Sequence, residues 1–215
     1  DDQDLLVVCK FGGLAVQSAR VSTPDLMSLL RNEMLERGEK KPYLGLVNRL
    51  DQPVEGIVLI GKNEKAAANL SRQVTDHIHM KKWYQTVICG KPEKSSDTLV
   101  DYLLKDGKTN TSKVVKEGTP GSKRSELHYE VLSSGGEKTL LKIRLLTGRH
   151  HQIRVQLSHA GLPICGDAKY GKAGGQLCLC AYKVIFSHPR TGERMGFEVK
   201  PTFVGDSLQA EDKDG

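Results

Sequence analysis

"LHYEVLSSGGEKTLLKIRLLTGRHHQIRVQLSHAG", residues 127–161, carries the pattern on which the fold turns. Two alternating stretches, 127–132 and 138–146, flank Ser133–Glu137 and read as a β-hairpin. The second runs into a tight turn at Thr147–Gly148, and a helix over 150–161 follows, with Ile153, Leu157 and Ala160 on one face. Hairpin first and helix second is the grammar of an antiparallel sheet with helices laid beside it. A parallel, doubly wound sheet needs strand and helix to alternate.

The chain on either side agrees. Residues 4–10 read as a short strand ended by Phe-Gly-Gly. "TPDLMSLLRNEMLERG" (23–38) reads as a helix capped by Thr23, with Pro24 in its first turn and Leu26, Leu29, Leu30 and Met34 as its apolar stripe. Strand 56–62, a helix over 63–77 capped by Asn63, and strand 82–90 come next. Residues 91–125 are rich in Lys, Gly, Ser and Thr and read as a loop. Strands at 177–186 and 195–200, joined by "SHPRTGE", complete about seven strands and three helices. The expected class is α+β, a mixed, mainly antiparallel central β-sheet flanked by helices and loops. One catalytic domain is expected over 1–205, followed by an acidic disordered tail over 206–215.

Composition narrows the function. The 215 residues are 38% hydrophobic and 27% charged, ordinary values for a globular chain. No apolar run approaches the roughly 18 residues of a membrane span, and no signal peptide opens the sequence. Five scattered cysteines (9, 89, 165, 178, 180), mostly within apolar stretches, point to reduced, core-packed thiols and a cytoplasmic setting. Cys178 and Cys180 lack a second pair at zinc-ligand spacing, so no metal site is expected. Net charge is +6, concentrated in 105–125, where six Lys/Arg face two acids; a polyanionic partner follows.

Candidate chemistry gathers in two places. In "VNRLDQPVEG" (47–56), Arg49 and Asp51 stand at a Pro-containing turn before an apolar strand. Asp51 is a turn residue or a working carboxylate, and those residues alone leave both open. Arg149, His150, His151, Gln152 and Arg154 crowd a helix start, where backbone N–H groups already favour anions. Were Arg149 to meet Asp51, it would hold that carboxylate ionised and aimed, ready to act as nucleophile or base. Tyr84, in "KKWYQTV", offers a stacking surface.

Taken in order, these segments resemble the RNA pseudouridine synthases of the RluA-like family. "NRLDQPVEGIVLIGKN" is similar to the family's His-Arg-Leu-Asp catalytic segment, and "KKWYQTVICG" to its Lys-x-Tyr strand. "LLTGRHHQIRVQLSHAGLPICGDAKYG" resembles its Thr-Gly-Arg-x-His-Gln-Ile-Arg block with the Gly-Asp-x-x-Tyr-Gly after it, and "DLLVVCKFGGLAV" a divergent Lys-Pro-x-Gly opening. The resemblance spans roughly 4–200. It implies Asp51 as catalytic aspartate, Arg149 as its partner and Tyr84 as the tyrosine packed on the target base. Asn48, Arg49, Lys82, Gly148, His151, Gln152 and Arg154 become RNA- or substrate-binding positions. Asn48 stands where the family usually has His, Phe11 where Pro is usual, Val54–Glu55 where Thr-Ser is common, and Cys180 where His often precedes Ala.

The implied reaction turns uridine of rRNA or tRNA into pseudouridine, with no cofactor, no membrane association and a monomeric enzyme. A glycosidase would also use a carboxylate at C1′ but usually wants a second acid, for which Glu55 is the near candidate. A catalytically silent RNA binder would not need Asp51, Tyr84 and Arg149 together, nor would a protein-interaction module.

Overall fold

The computed structural model describes residues 1–18, 23–76, 78–171 and 174–205, so the expected acidic tail lies outside the described residues. The elements are β1 (Leu5–Lys10), α1 (Leu26–Glu36), β2 (Gly45–Leu46), β3 (Glu55–Gly61), α2 (Glu64–Asp76), β4 (Lys81–Cys89) and β5 (Ser96–Asp106). They continue with β6 (Thr111–Val115), β7 (Lys123–Gly135), β8 (Lys138–Leu145), α3 (Gln152–His159), β9 (Leu179–Ser187) and β10 (Arg194–Glu198). Two compact units divide the chain: Asp1–Lys82 with Ala181–Val199, and Trp83–Cys180 with the residues from Lys200 on. No helix among the described residues is long and apolar enough to cross a membrane.

In the first unit β3 is central. β1 pairs with it antiparallel from Leu5↔Gly61 to Lys10↔Gly56, β2 pairs with its end, β9 follows in the strand order, and β10 pairs with β9. All seven residues of β3 are buried, as the unbroken apolar run predicts for a strand covered on both faces. Leu5, Ile57, Leu59, Leu70, Met80, Val184 and Phe186 form the core between sheet and α2. Each such side chain contributes roughly 1.5–3 kcal/mol by leaving water. Gly56, at φ +122, must be glycine, since a Cβ there would lie 2.4 Å from the backbone oxygen of Ala181.

Both helices of this unit start near the expected places. Asn63 caps α2 by accepting the Ala66 N–H. α1 begins later than the Pro24 signal implied, because Asp25 and Ser28 form a reciprocal capping box that outcompetes Thr23. Leu29, expected on the buried stripe, is exposed, and Met27 is buried in its stead.

In the second unit the strand order is β4-β8-β7-β5-β6, antiparallel throughout. The predicted hairpin is β7–β8, with a bulge between Val131 and Ser133. The expected loop 91–125 is instead mostly strand: β5 pairs with β7 over eight positions and with β6 over five. Its exposed positions mix Ser96, Thr98 and Lys105 with an apolar Val100, and Ser112 is buried, which masks the alternation that buries Leu103.

The cysteines also depart from expectation. Cys89 and Cys165 are joined by a disulfide, and Cys9 is exposed on β1. The pairing follows from backbone bonds that lay 163–165 beside β4: Cys89 N–H donates to Pro163, and Cys165 N–H to Val87. Cys180 is buried in β9, as predicted.

Candidate active site

Asp51 sits where the chain leaves the sheet. Val47 N–H still donates to Leu59, continuing the β2–β3 ladder. Asn48 then carries on that ladder with its side chain: its Oδ1 accepts the Leu59 N–H at 2.8 Å and its Nδ2 donates to the Ile57 carbonyl at 3.1 Å. The backbone is thereby released into a turn, closed by Val54 N–H donating to the Asp51 carbonyl. Asp51 is half-buried, and Arg49 and Gln52 are exposed beside it. Asn48, predicted to touch substrate, spends both ends of its amide on β3.

A second restraint comes from Lys10, to which sequence reasoning gave no role. It is 0% exposed, and its ammonium donates to the carbonyls of Phe11 (2.9 Å), Leu14 (2.8 Å) and Gln52 (3.1 Å). Gly13 and Gln52 add a reciprocal pair, Gly13 N–H to the Gln52 carbonyl and Gln52 Nε2 to the Gly13 carbonyl. The loop after β1 thus clamps the residue next to Asp51. Its sequence signal was a lysine ending an apolar strand just before Phe-Gly-Gly.

Burial pushes the Lys10 pKa down to about 8, against the opposing attraction of Asp51 and Glu55. Between pH 8 and the ordinary value of 10.5 the unfolded chain binds more protons there than the native one. The cost of burying the charge, fully present below this window, is relieved as pH rises through it. The clamp weakens over the same range, since a neutral amine has two hydrogens for three carbonyls. ¹⁵N-detected NMR of the Lys10 amine should therefore show a midpoint near pH 8; titration with the solvent-exposed lysines would contradict the burial argument.

In the second unit the Thr147–Gly148–Arg149 turn is organised by Gln152. Its Oε1 accepts from the Thr147 hydroxyl (2.8 Å) and from Arg149 N–H (2.9 Å), while its Nε2 donates to the Glu126 carbonyl (3.0 Å). This side chain explains why α3 starts at Gln152, two residues later than expected. Arg149 is exposed, and its Nε donates to the Arg124 carbonyl at 3.1 Å. His151 precedes the helix at φ 53, a left-handed conformation that costs a non-glycine residue roughly 1–3 kcal/mol. Tyr170 helps hold it: its hydroxyl accepts Ser112 N–H at 2.8 Å and meets His151 Nδ1 at 2.6 Å. His150 stacks on His151, with ring centroids 3.7 Å apart, and bonds Ser112 and Asn110 at the β5–β6 hairpin.

Arg154 points inward rather than toward a ligand. At 4% exposure it makes a bidentate pair with Asp167, itself 1% exposed, at 2.8 and 2.7 Å. Burial would raise the Asp167 pKa. The Arg154 hydrogen bonds and charge, with N–H groups of Lys169 and Tyr170, outweigh it and hold the carboxyl below the ordinary range. Gly166 permits the approach: at φ +77, a Cβ there would lie 2.0 Å from the Gln176 carbonyl oxygen. Neither Asp167 nor Gly166 had a role assigned from sequence beyond membership of the motif.

Tyr84 is 7% exposed on β4, opposite Ile143 of β8. Lys82 is half-buried, and burial lowers its pKa. Asn48, Arg49, Asp51 and Lys82 thus belong to the first unit, and Tyr84, Gly148, Arg149, His151, Gln152 and Arg154 to the second. The one group with metal-ligand spacing among the described residues is Asp2, Asp4 and His188, within 4.8 Å of one another. His188 is hydrogen-bonded to Asp2, Asn63 donates to one oxygen of Asp4, and Arg190 forms an ion pair with the other.

Comparison with known proteins identifies the family. Residues 4–159 match the family described as RNA pseudouridylate synthase. The chain is 33% identical over 211 residues to the uncharacterized RNA pseudouridine synthase YlyB of Bacillus subtilis, covering 92% of this chain and 66% of that one. It is 31% identical over 207 residues to ribosomal large subunit pseudouridine synthase C of Haemophilus influenzae, covering 92% and 62%. It therefore spans a little under two thirds of the length of these relatives. The solved human RNA pseudouridylate synthase domain containing 4 superposes with a TM-score of 0.78 at 22% identity, over 94% of this chain and 87% of that one, which shows a shared fold. With the family match running through both the Asp51 turn and the Arg149 turn, the chain belongs to the RNA pseudouridine synthases of the RluA-like type.

Proposed function

We propose that this protein isomerises particular uridines of rRNA or tRNA to pseudouridine, with Asp51 as the catalytic carboxylate. The N1–C1′ bond breaks, the detached uracil turns, C5 bonds to C1′, the C5 proton leaves and N1 takes up a proton; nothing is oxidised and no group is lost. Asp51 attacks C1′ or removes the 2′ proton. Arg149 is its cationic partner, Tyr84 packs on the uracil, and Arg49 takes part in displacing the nucleotide from its stack. Gly148 and Lys82 complete the RNA-binding set in this reading, and Gln152, His151 and Arg154, being buried, act by holding the Arg149 turn and the helix in place.

The observation that carries the proposal is the tethering of the Asp51 turn, by Asn48 to β3 and by Lys10 and Gly13 through Gln52, which holds a carboxylate on a fixed backbone at the surface. Gly148 is consistent with it: the position is exposed and bears no side chain, so nothing on it blocks close approach to the backbone of this turn. The basic segment 105–125, which runs from the end of β5 through β6 to the start of β7, suits a phosphate backbone, bound with salt-sensitive affinity. Action on these RNAs in the cytoplasm is part of the same proposal.

Chemical mapping of pseudouridines across rRNA and tRNA, in cells with and without the gene, tests it. One or a few sites should lose their modification, and identical maps would refute the assignment. Free uracil and an abasic site as products would instead mark a glycosidase.

A further inference from the structure

The loop that clamps the Asp51 turn also displays Phe11. Its ring is 69% exposed, an unusual setting for phenylalanine, while its backbone is held firmly. The Phe11 carbonyl accepts from the Lys10 ammonium, which simultaneously binds the Gln52 carbonyl, and Gly13, two residues on, is bonded twice to Gln52. One buried cation therefore ties the aromatic position to the residue beside Asp51. Among the described residues no other ring stacks on Phe11.

We propose that Phe11 is a stacking platform for an unpaired RNA base flanking the uridine at Asp51, a reading that rests on the catalytic assignment of Asp51. A flat apolar ring on a fixed backbone loses little conformational freedom when a base covers it, and every base has a face to offer. Gln52, bonded to this loop, and Arg49, three residues before it on the Asp51 turn, are both exposed and can meet phosphate and base edges. The ligand class is thus single-stranded RNA next to the target, and the contact sets affinity without reading sequence.

The test measures dissociation constants of the full chain for a fluorescein-labelled single-stranded oligouridylate. Phe11→Ala should weaken binding about tenfold, Phe11→Trp should restore it to within about twofold, and Phe11→Leu should not. On an abasic ribose-phosphate strand of equal length Phe11→Ala should make no difference, because no base remains to stack. Wild-type binding by Phe11→Ala or Phe11→Leu, or an equal loss on the abasic strand, would overturn the platform. So would a change in sedimentation of Phe11→Ala, which would assign the ring to contact between copies of the chain. Turnover of Asp51→Asn, assayed in parallel, separates the two ideas: full activity there removes the catalytic reading, whereas unchanged binding by Phe11→Ala removes the platform alone.

Discussion

Asp51→Asn is expected to lower pseudouridine formation by at least about 10³-fold, within the range that a positioned acid–base or nucleophilic group supplies. The substitution is nearly isosteric, and the hydrogen bond from Val54 N–H to the Asp51 carbonyl, which closes the turn, is available to Asn as well. The Asn48, Lys10 and Gly13 bonds that hold the turn are likewise untouched. Circular dichroism and RNA filter binding should therefore stay close to the wild type while product falls away. An independent readout is built in. Asp51 is the larger of the two carboxylate influences that raise the Lys10 pKa, so its neutralisation should move the Lys10 midpoint below its starting value near 8. Activity within about tenfold of the wild type would remove Asp51 from the mechanism.

Asp167→Ala is expected to destabilise the native state by about 3–5 kcal/mol, the usual cost of stranding a buried charge by removing its partner. Arg154 would lose both bonds from its guanidinium to the carboxylate, and the Lys169 and Tyr170 N–H groups would lose their acceptor. Urea midpoints measure the loss. The double change Arg154→Met with Asp167→Asn should cost less than Asp167→Ala alone, because it removes the charge and keeps an acceptor for the loop amides. A loss below about 1 kcal/mol for Asp167→Ala would show that the pair is not buried as described. The same pair predicts an acid limit. The Asp167 carboxyl is held below its unfolded pKa, so its contribution is full above about pH 4 and is lost as pH falls through the lowered native value.

Much of the architecture can be read from local pattern. β3 announces itself by an unbroken apolar run, β7–β8 by alternation around Ser133–Glu137, and α2 by Asn63 followed by a clean helical period. The strands β5 and β6 escape that reading because an apolar Val100 faces outward, Ser112 faces inward, and the pairing of β5 depends on β7, up to 34 positions away in register. The start of α1 turns on a competition between two caps, Thr23 and Asp25, that composition cannot rank. For the site, motif order points to Asp51, Tyr84 and Arg149, whereas the groups that hold the turns are long-range facts. Lys10 acts on a carbonyl 42 residues away. Arg154 looks like a ligand-facing cation until Asp167, 13 residues on, is seen to fold back and bury it.

Asn48 has one more implication. An imidazole, usual at this position in the family, offers one donor and one acceptor only while neutral; once protonated it would turn a second N–H toward the Leu59 amide and repel it. The carboxamide in its place does not titrate. In this chain the joint between β3 and the Asp51 turn is therefore blind to acidity between pH 5 and 8, and any pH response of the protein in that range must arise from other groups.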